Sequence, residues 1–79
     1  MIERTTLPVD DQYSINVVTE RMNDDTWAVV ASLTHHSPTG EKIIDLPVRD
    51  VRYASQGEAQ DAGVRQARDW LERNVPHAA

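Results

Sequence analysis

Cysteine is absent from the 79 residues, which excludes a disulfide framework and any thiol chemistry. Long apolar runs are lacking too, since none approaches the ~20 residues of a membrane-spanning helix. No membrane partner is therefore expected. A basic-then-apolar leader is not seen at the start, because Glu3 and Arg4 interrupt it at once, and the expected location is the cytoplasm. Basic side chains are outnumbered 8 to 13, for a net charge of −5. The imbalance is uneven: residues 1–26 hold six acids against Arg4 and Arg21, whereas residues 27–55 balance at three and three. Phosphate backbones demand clustered Lys and Arg, so no nucleic-acid partner is expected. Internal repeats and low-complexity tracts are missing as well. One small domain remains, near the lower size limit for a core without staples.

What is present is clearest from Ser55 to Asn74. Ala59, Ala62, Gly63, Ala67, Trp70 and Leu71 share one stripe at helical pitch, which predicts an amphipathic helix lying on an apolar surface. Ser55 and Glu58 have the spacing of a capping box, and Pro76 predicts the stop. On the other face, Asp61–Arg65, Asp69–Arg73 and the reversed Arg68–Glu72 stand four apart, each contributing about 0.3 kcal/mol if formed. Small residues on the buried stripe allow close approach to a sheet, and Trp70 is large enough to plug the far end of that layer.

Ahead of the helix the period is two. From Gln12 to Glu20, Tyr13, Ile15 and Val17 alternate against Ser14, Asn16 and Val18, which predicts a half-buried first strand. Asn23, Asp24 and Asp25 supply turn chemistry. Thr26 to His35 forms the second strand, with Trp27, Val29, Ala31 and Leu33 inward. Ser37-Pro38-Thr39-Gly40 closes a hairpin, with Gly40 free to adopt positive φ. A third strand over residues 42–53 is expected to be kinked or interrupted, because Pro47 cannot donate to a ladder. Residues 1–11 carry no sustained period and are expected as a flexible or loosely docked lead-in. The expected fold is α+β: a three-stranded antiparallel sheet, order 1-2-3, with one C-terminal helix on one face. Residues 12–76 form this domain and 77–79 a tail.

Candidate chemistry is thin. His35 and His36 are adjacent, so in a strand they face opposite sides and cannot chelate one ion, and His77 is the remaining histidine. Asp10–Asp11 and Asp24–Asp25 lack the spacing of a calcium loop and suit solvated turns. Ser14, Ser32, Ser37 and Ser55 stand outside any G-x-S-x-G elbow, and Ser55 already caps the helix. No cofactor, metal or catalytic residue is expected.

Three strands and a helix resemble the last part of the double-stranded-RNA-binding domain. That domain needs basic residues at the start of its final helix, where this chain has Gln56, Gly57, Glu58, Gln60 and Asp61. The phrase Ser55-Gln56-Gly57-Glu58-Ala59, after the Tyr13-Ile15-Val17 and Trp27-Val29-Ala31 strands, resembles the sheet-then-helix module of HicB-type antitoxins over roughly residues 12–73. The Pro-Asp-x-Pro-Gly-type loop of that family is missing here, and no DNA-binding segment follows Asn74. Small bacterial proteins of the same layout are an equal match. The resemblance implies a protein-binding module without catalysis.

One helix can cover only one face of the sheet. The uncovered face is expected to present Val18, Ala28, Val30 and Ile43, and the Gln12–Glu20 strand is expected at an edge without Pro or Lys to block pairing, so that either residues 2–9 fold back to cover it or a partner strand does. A protein partner or a homodimer is expected on that face or that edge.

Overall fold

A computed structural model describes residues 2–48 and 50–74. The strands are β1 (Ile2–Pro8), β2 (Tyr13–Arg21), β3 (Trp27–Ser37) and β4 (Gly40–Asp45), followed by one helix, α1 (Gln56–Asn74). The sheet is antiparallel throughout, in the order β1-β2-β3-β4. It has four strands where three were expected. The added strand is β1, drawn from the aperiodic residues 1–11. Of the two ways to cover the Gln12–Glu20 edge, residues 2–9 folding back is the one found: β1 pairs with β2 from Ile2↔Glu20 to Pro8↔Ser14, so that strand is internal and its edge is not open to a partner. The expected stop at Pro76 and the tail 77–79 lie outside the described residues.

Each hairpin has its own chemistry. In the β1–β2 loop, one Asp10 carboxylate oxygen accepts from the Gln12 and Tyr13 N–H groups, both at 2.8 Å. In the β2–β3 loop, the Met22 carbonyl accepts from the Asp25 N–H at 3.1 Å and Met22 N–H donates to the Thr26 carbonyl at 2.8 Å. Asp25 takes φ 66°, a left-handed conformation that Asp tolerates better than most side chains. Pro38 and Thr39 alone separate the paired Ser37 and Gly40, and Gly40 adopts φ 140° as its tight turn requires.

β4 ends two residues before Pro47. The Leu46 N–H still donates to Ala31 O at 3.2 Å, and Tyr53 exchanges a bond pair with Trp27 at 2.8 and 3.0 Å. Between those points β3 runs from Ala31 to Trp27 while the facing chain runs from Leu46 to Tyr53, so three extra residues (7 − 4) leave the ladder. The strand expected over residues 42–53 is thus interrupted, as Pro47 dictates.

The core lies between α1 and the inner face of the sheet. Ile15, Val17, Ala31, Leu33 and Leu46 meet Ala67 and Leu71, with Leu7, Tyr13, Val29, Ile44, Val64 and Trp70 packed around them. The helix rests on β2 and β3 through Ala59, Gly63, Ala67 and Leu71, spaced four apart. Such small residues bring the backbones close. A Cβ on Gly63 would meet Val29 Cγ2 at 2.8 Å and Val17 Cγ1 at 2.9 Å. At the helix start, the Ser55 hydroxyl accepts from the Glu58 N–H at 3.2 Å, while the Glu58 carboxylate accepts from the Ala54 N–H at 3.2 Å, one residue outside the usual capping-box partner. Among the described residues the ion pairs that close are Arg21–Asp25, His36–Glu41 and Arg52–Asp50, and none of the three helix-surface pairs is among them.

A polar chain fixes the helix start over the sheet. Gln56 Nε2 donates to Thr19 Oγ1 at 3.3 Å and to Gln60 Oε1 at 2.9 Å, and Thr5 Oγ1 donates to Gln60 Oε1 at 3.4 Å. Thr19 is 1% exposed, and this bond spares its hydroxyl the cost of burial without a partner.

Candidate functional site

The face of the sheet away from α1 carries the residues singled out in the sequence, arranged in cross-strand rows by the register. Arg4, Val18 and Val30 form one row, and Ile2, Glu20 and Ala28 the row beside it. Thr6, Asn16, Ser32 and Asp45 form the middle row; Pro8, Ser14, Thr34 and Ile43 the next; His36 and Glu41 the end. Val18 and Val30 are therefore direct partners, and Ala28 follows Val30 on the same side of β3. Ile43 does not join them: it stands beyond the polar middle row. Val30 is 46% exposed and Ile43 66%. Ile2, at 53%, completes the cluster with Val18, Ala28 and Val30. It escaped notice because its strand carries no apolar period.

The polar side chains of this face satisfy one another. Thr6 Oγ1 donates to Asn16 Oδ1 at 3.2 Å, and Asn16 Nδ2 donates to Thr34 Oγ1 at 2.9 Å, a chain that crosses three strands. In a second chain, Glu41 Oε2 lies 2.5 Å from His36 Nδ1, and His36 Nε2 lies 3.0 Å from Ser14 Oγ. The carboxylate accepts from Nδ1–H, and in the neutral ring Nε2 is then the acceptor for the Ser14 hydroxyl. Serine, imidazole and carboxylate are thus connected in the sense that nucleophilic catalysis uses. Ser14, however, sits within a fully paired strand, between Pro8 and Thr34. The backbone N–H groups around it serve the ladder and form no cradle for an oxyanion.

His35 is on the opposite face, stacked on Tyr13 with centroids 4.6 Å apart and planes at 11°. The sheet thus separates the two adjacent histidines, and among the described residues no group of three His, Asp or Glu side chains stands close enough to hold a metal ion. The Asp24 carboxyl is held below the usual carboxylate range, first by the Thr26 hydroxyl, which donates to it at 2.5 Å, and then by the Thr26 N–H at 3.1 Å. That bond set makes a tight turn rather than a cation site.

Two concavities lie on the helix side. One, about 280 Å³, is bounded by Leu46, Pro47, Gln66, Asp69, Trp70 and Arg73, and is spanned by the bond from Gln66 Nε2 to the Pro47 carbonyl at 2.7 Å. The other, about 380 Å³, lies between Tyr53 and the helix residues Glu58, Asp61 and Arg65. Neither includes Ser14, His36 or Glu41. No described helix is long and apolar enough to cross a membrane.

No family model, curated protein or solved structure matches this chain.

Proposed function

We propose that the chain is a small non-catalytic protein-interaction or regulatory domain whose contact surface is the open sheet face. The carrying observation is the apolar cluster of exposed Ile2 and Val30 with half-buried Val18 and Ala28, beside polar side chains already bonded to one another. Covering apolar area stabilises a complex by about 25 cal/mol per Å². Covering polar groups normally costs stability, but groups that keep their partners when water leaves cost little. The resemblance to HicB-type antitoxins points the same way, and the net charge of −5 favours protein over nucleic acid. To test this, wild-type protein and the Val18→Lys/Val30→Lys variant are immobilised side by side, with the variant's fold checked by circular dichroism. Proteins retained by the wild type should be lost from the variant. Equal retention on both would sink the reading.

A second reading, a small acyl-transfer enzyme, is favoured by the Ser14–His36–Glu41 chain. Ser14 Oγ would attack an ester carbonyl, passing its proton to His36 Nε2, which returns it to the departing alkoxide; water then releases the acyl group by the same relay. A fluorophosphonate probe should label Ser14 in the wild type and not in His36→Ala. No labelling removes this reading. The paired backbone around Ser14 is why it stands second.

A further inference from the structure

We propose that the occupant of the open face is a second copy of this chain, docked face to face about a two-fold axis that runs along the strands between β2 and β3. The proposal rests on the reading of that face as the contact surface and names its partner.

The register makes the match specific. This axis lays β2 on the partner's β3 and β1 on the partner's β4, and it keeps every row at its own level. Val18 then faces the partner's Val30, and Val30 the partner's Val18, because the two are direct cross-strand partners. By the same operation Asn16 meets the partner's Ser32, Ser14 the partner's Thr34, and Pro8 the partner's Ile43. The valine pair falls on the valine pair and the polar middle row on itself, while Glu20 falls on the partner's Ala28 at the end of the face. An isologous contact demands this self-complementarity of a single patch.

Charge follows the same pattern. Arg4 stands on β1 at the level of Val18, where the overlying strand has already left the ladder after Asp45. The partner's Asp45 is then one row away, ~7 Å along the strand, within reach of an arginine side chain. Symmetry makes this contact twice. Glu20 and Glu41 stand at the two ends of the face, where rim water still reaches them.

The size of the face sets the strength. Four strands ~4.8 Å apart and a nine-residue β2 rising ~3.3 Å per residue give a face of ~19 by ~30 Å. Only the overlaid strands count, β2 on the partner's β3 along its length and β1 on the partner's β4 over Thr6–Pro8. That leaves roughly 380 Å² per copy and about 760 Å² in all, below the ~1,000 Å² of a stable specific interface and in the range of a transient one. A weak, reversible dimer is the consequence. Two twisted sheets pack this way as an aligned sandwich, ~10 Å apart and rotated by ~30°. Growth through the edges is less favoured, since Pro8 closes β1 and β4 ends before Pro47 after only six residues.

Mass in solution tests it, by sedimentation equilibrium from ~10 µM to ~1 mM. The wild type should rise from the 8.9 kDa chain mass toward twice that value. Val18→Lys/Val30→Lys should stay at one chain mass. Arg4→Glu, an exposed change that leaves the core untouched, should weaken dimerisation about tenfold or more. Arg4→Glu with Asp45→Arg should recover most of it. Because the chain has no cysteine, a mixture of the single variants Val18→Cys and Val30→Cys should cross-link through a short bis-maleimide. A wild type that holds one chain mass at ~1 mM overturns the proposal, as does a lysine variant that dimerises equally. If a monomeric wild type still retains proteins that the lysine variant loses, the occupant is wrong and the contact face stands. If nothing is retained by either, both readings fall.

Discussion

Replacing Gly63 by Ala sets two effects of opposite sign against each other, and the structure decides which wins. Alanine favours the helix interior over glycine by about 0.8–1.0 kcal/mol. Its Cβ would meet Val29 Cγ2 at 2.8 Å and Val17 Cγ1 at 2.9 Å, with a further Val17 methyl at 3.4 Å. Both neighbours are β-branched and stiff at χ1, so neither methyl swings aside cheaply. Val17 is 1% exposed and cannot turn its methyls out to solvent. Overpacking of this kind costs about 1–3 kcal/mol. The net expectation is a loss of ~1–2 kcal/mol, against a total of about 4–12 kcal/mol for a domain of this length. Urea unfolding followed by tryptophan fluorescence measures it. The sharper measurement is the double-mutant cycle with Val29→Ala, which removes the nearest methyl. In that background the Val17 contact remains, so the glycine-to-alanine step should cost less than in the wild type without vanishing, giving a coupling of ~0.5–1 kcal/mol. If Gly63→Ala stabilises the otherwise wild-type chain by the full propensity gain, the helix does not lie this close to the sheet and the packing argument fails.

Trp70→Ala should cost ~2–3 kcal/mol, less than the ~3–5 of a fully buried tryptophan, because Trp70 packs on the core but is half-buried beside the Leu46–Pro47 cleft; unchanged thermal unfolding would show that it makes no such contact. The Asp24 carboxyl is held low, so its contribution is present above the unfolded carboxylate value and is lost as pH falls through the folded one. Below about pH 4 the thermal midpoint should therefore fall more steeply for the wild type than for Asp24→Asn, and parallel curves would remove Asp24 from the account. In 0.1 M salt, titration with DNA or RNA should show no binding tighter than ~100 µM, given the acidic excess, and a salt-dependent micromolar isotherm would reverse that conclusion.

The strands and helix that proved legible are those with one face buried along their whole length. β2 and β3 turn an unbroken row of Ile15, Val17, Ala31 and Leu33 to the core, with Ser14, Asn16, Ser32 and Thr34 among the residues between them, so period two shows plainly. β1 turns inward only Glu3, Thr5 and Leu7, and as an edge strand it buries little; its pattern is too weak to be seen without the partner it pairs with. That Val18, Ala28 and Val30 share one side of the sheet follows from alternation alone. Their separation from Ile43 depends on which rows align, and that needs the register. The Ser14–His36–Glu41 chain is hidden for the same reason, although part of it was within reach. A two-residue loop at Pro38-Thr39 fixes His36 opposite Glu41, and the spacing of the β2–β3 hairpin then sets His36 diagonal to Ser14. Thr19 lies in the inward row but reads as polar, and only the reach of Gln56 across the helix start makes its burial affordable.

The strand order β1-β2-β3-β4 also governs how the chain comes together in time. Every ladder joins neighbours in sequence, so each hairpin can zip by local closure, on the order of microseconds. Among the described elements only α1 must fold back over distant partners, and it follows all four strands. On a ribosome the meander is therefore complete while the residues that will roof it are still being added. For that interval Ile15, Val17, Ala31 and Leu33 face water, and a nascent sheet with both sides bare is the species most prone to sticking to its neighbours. Truncations that remove residues 56–74 should reproduce this species stably, as insoluble material, whereas slowing translation within β1–β4 should leave the yield of soluble protein unaffected.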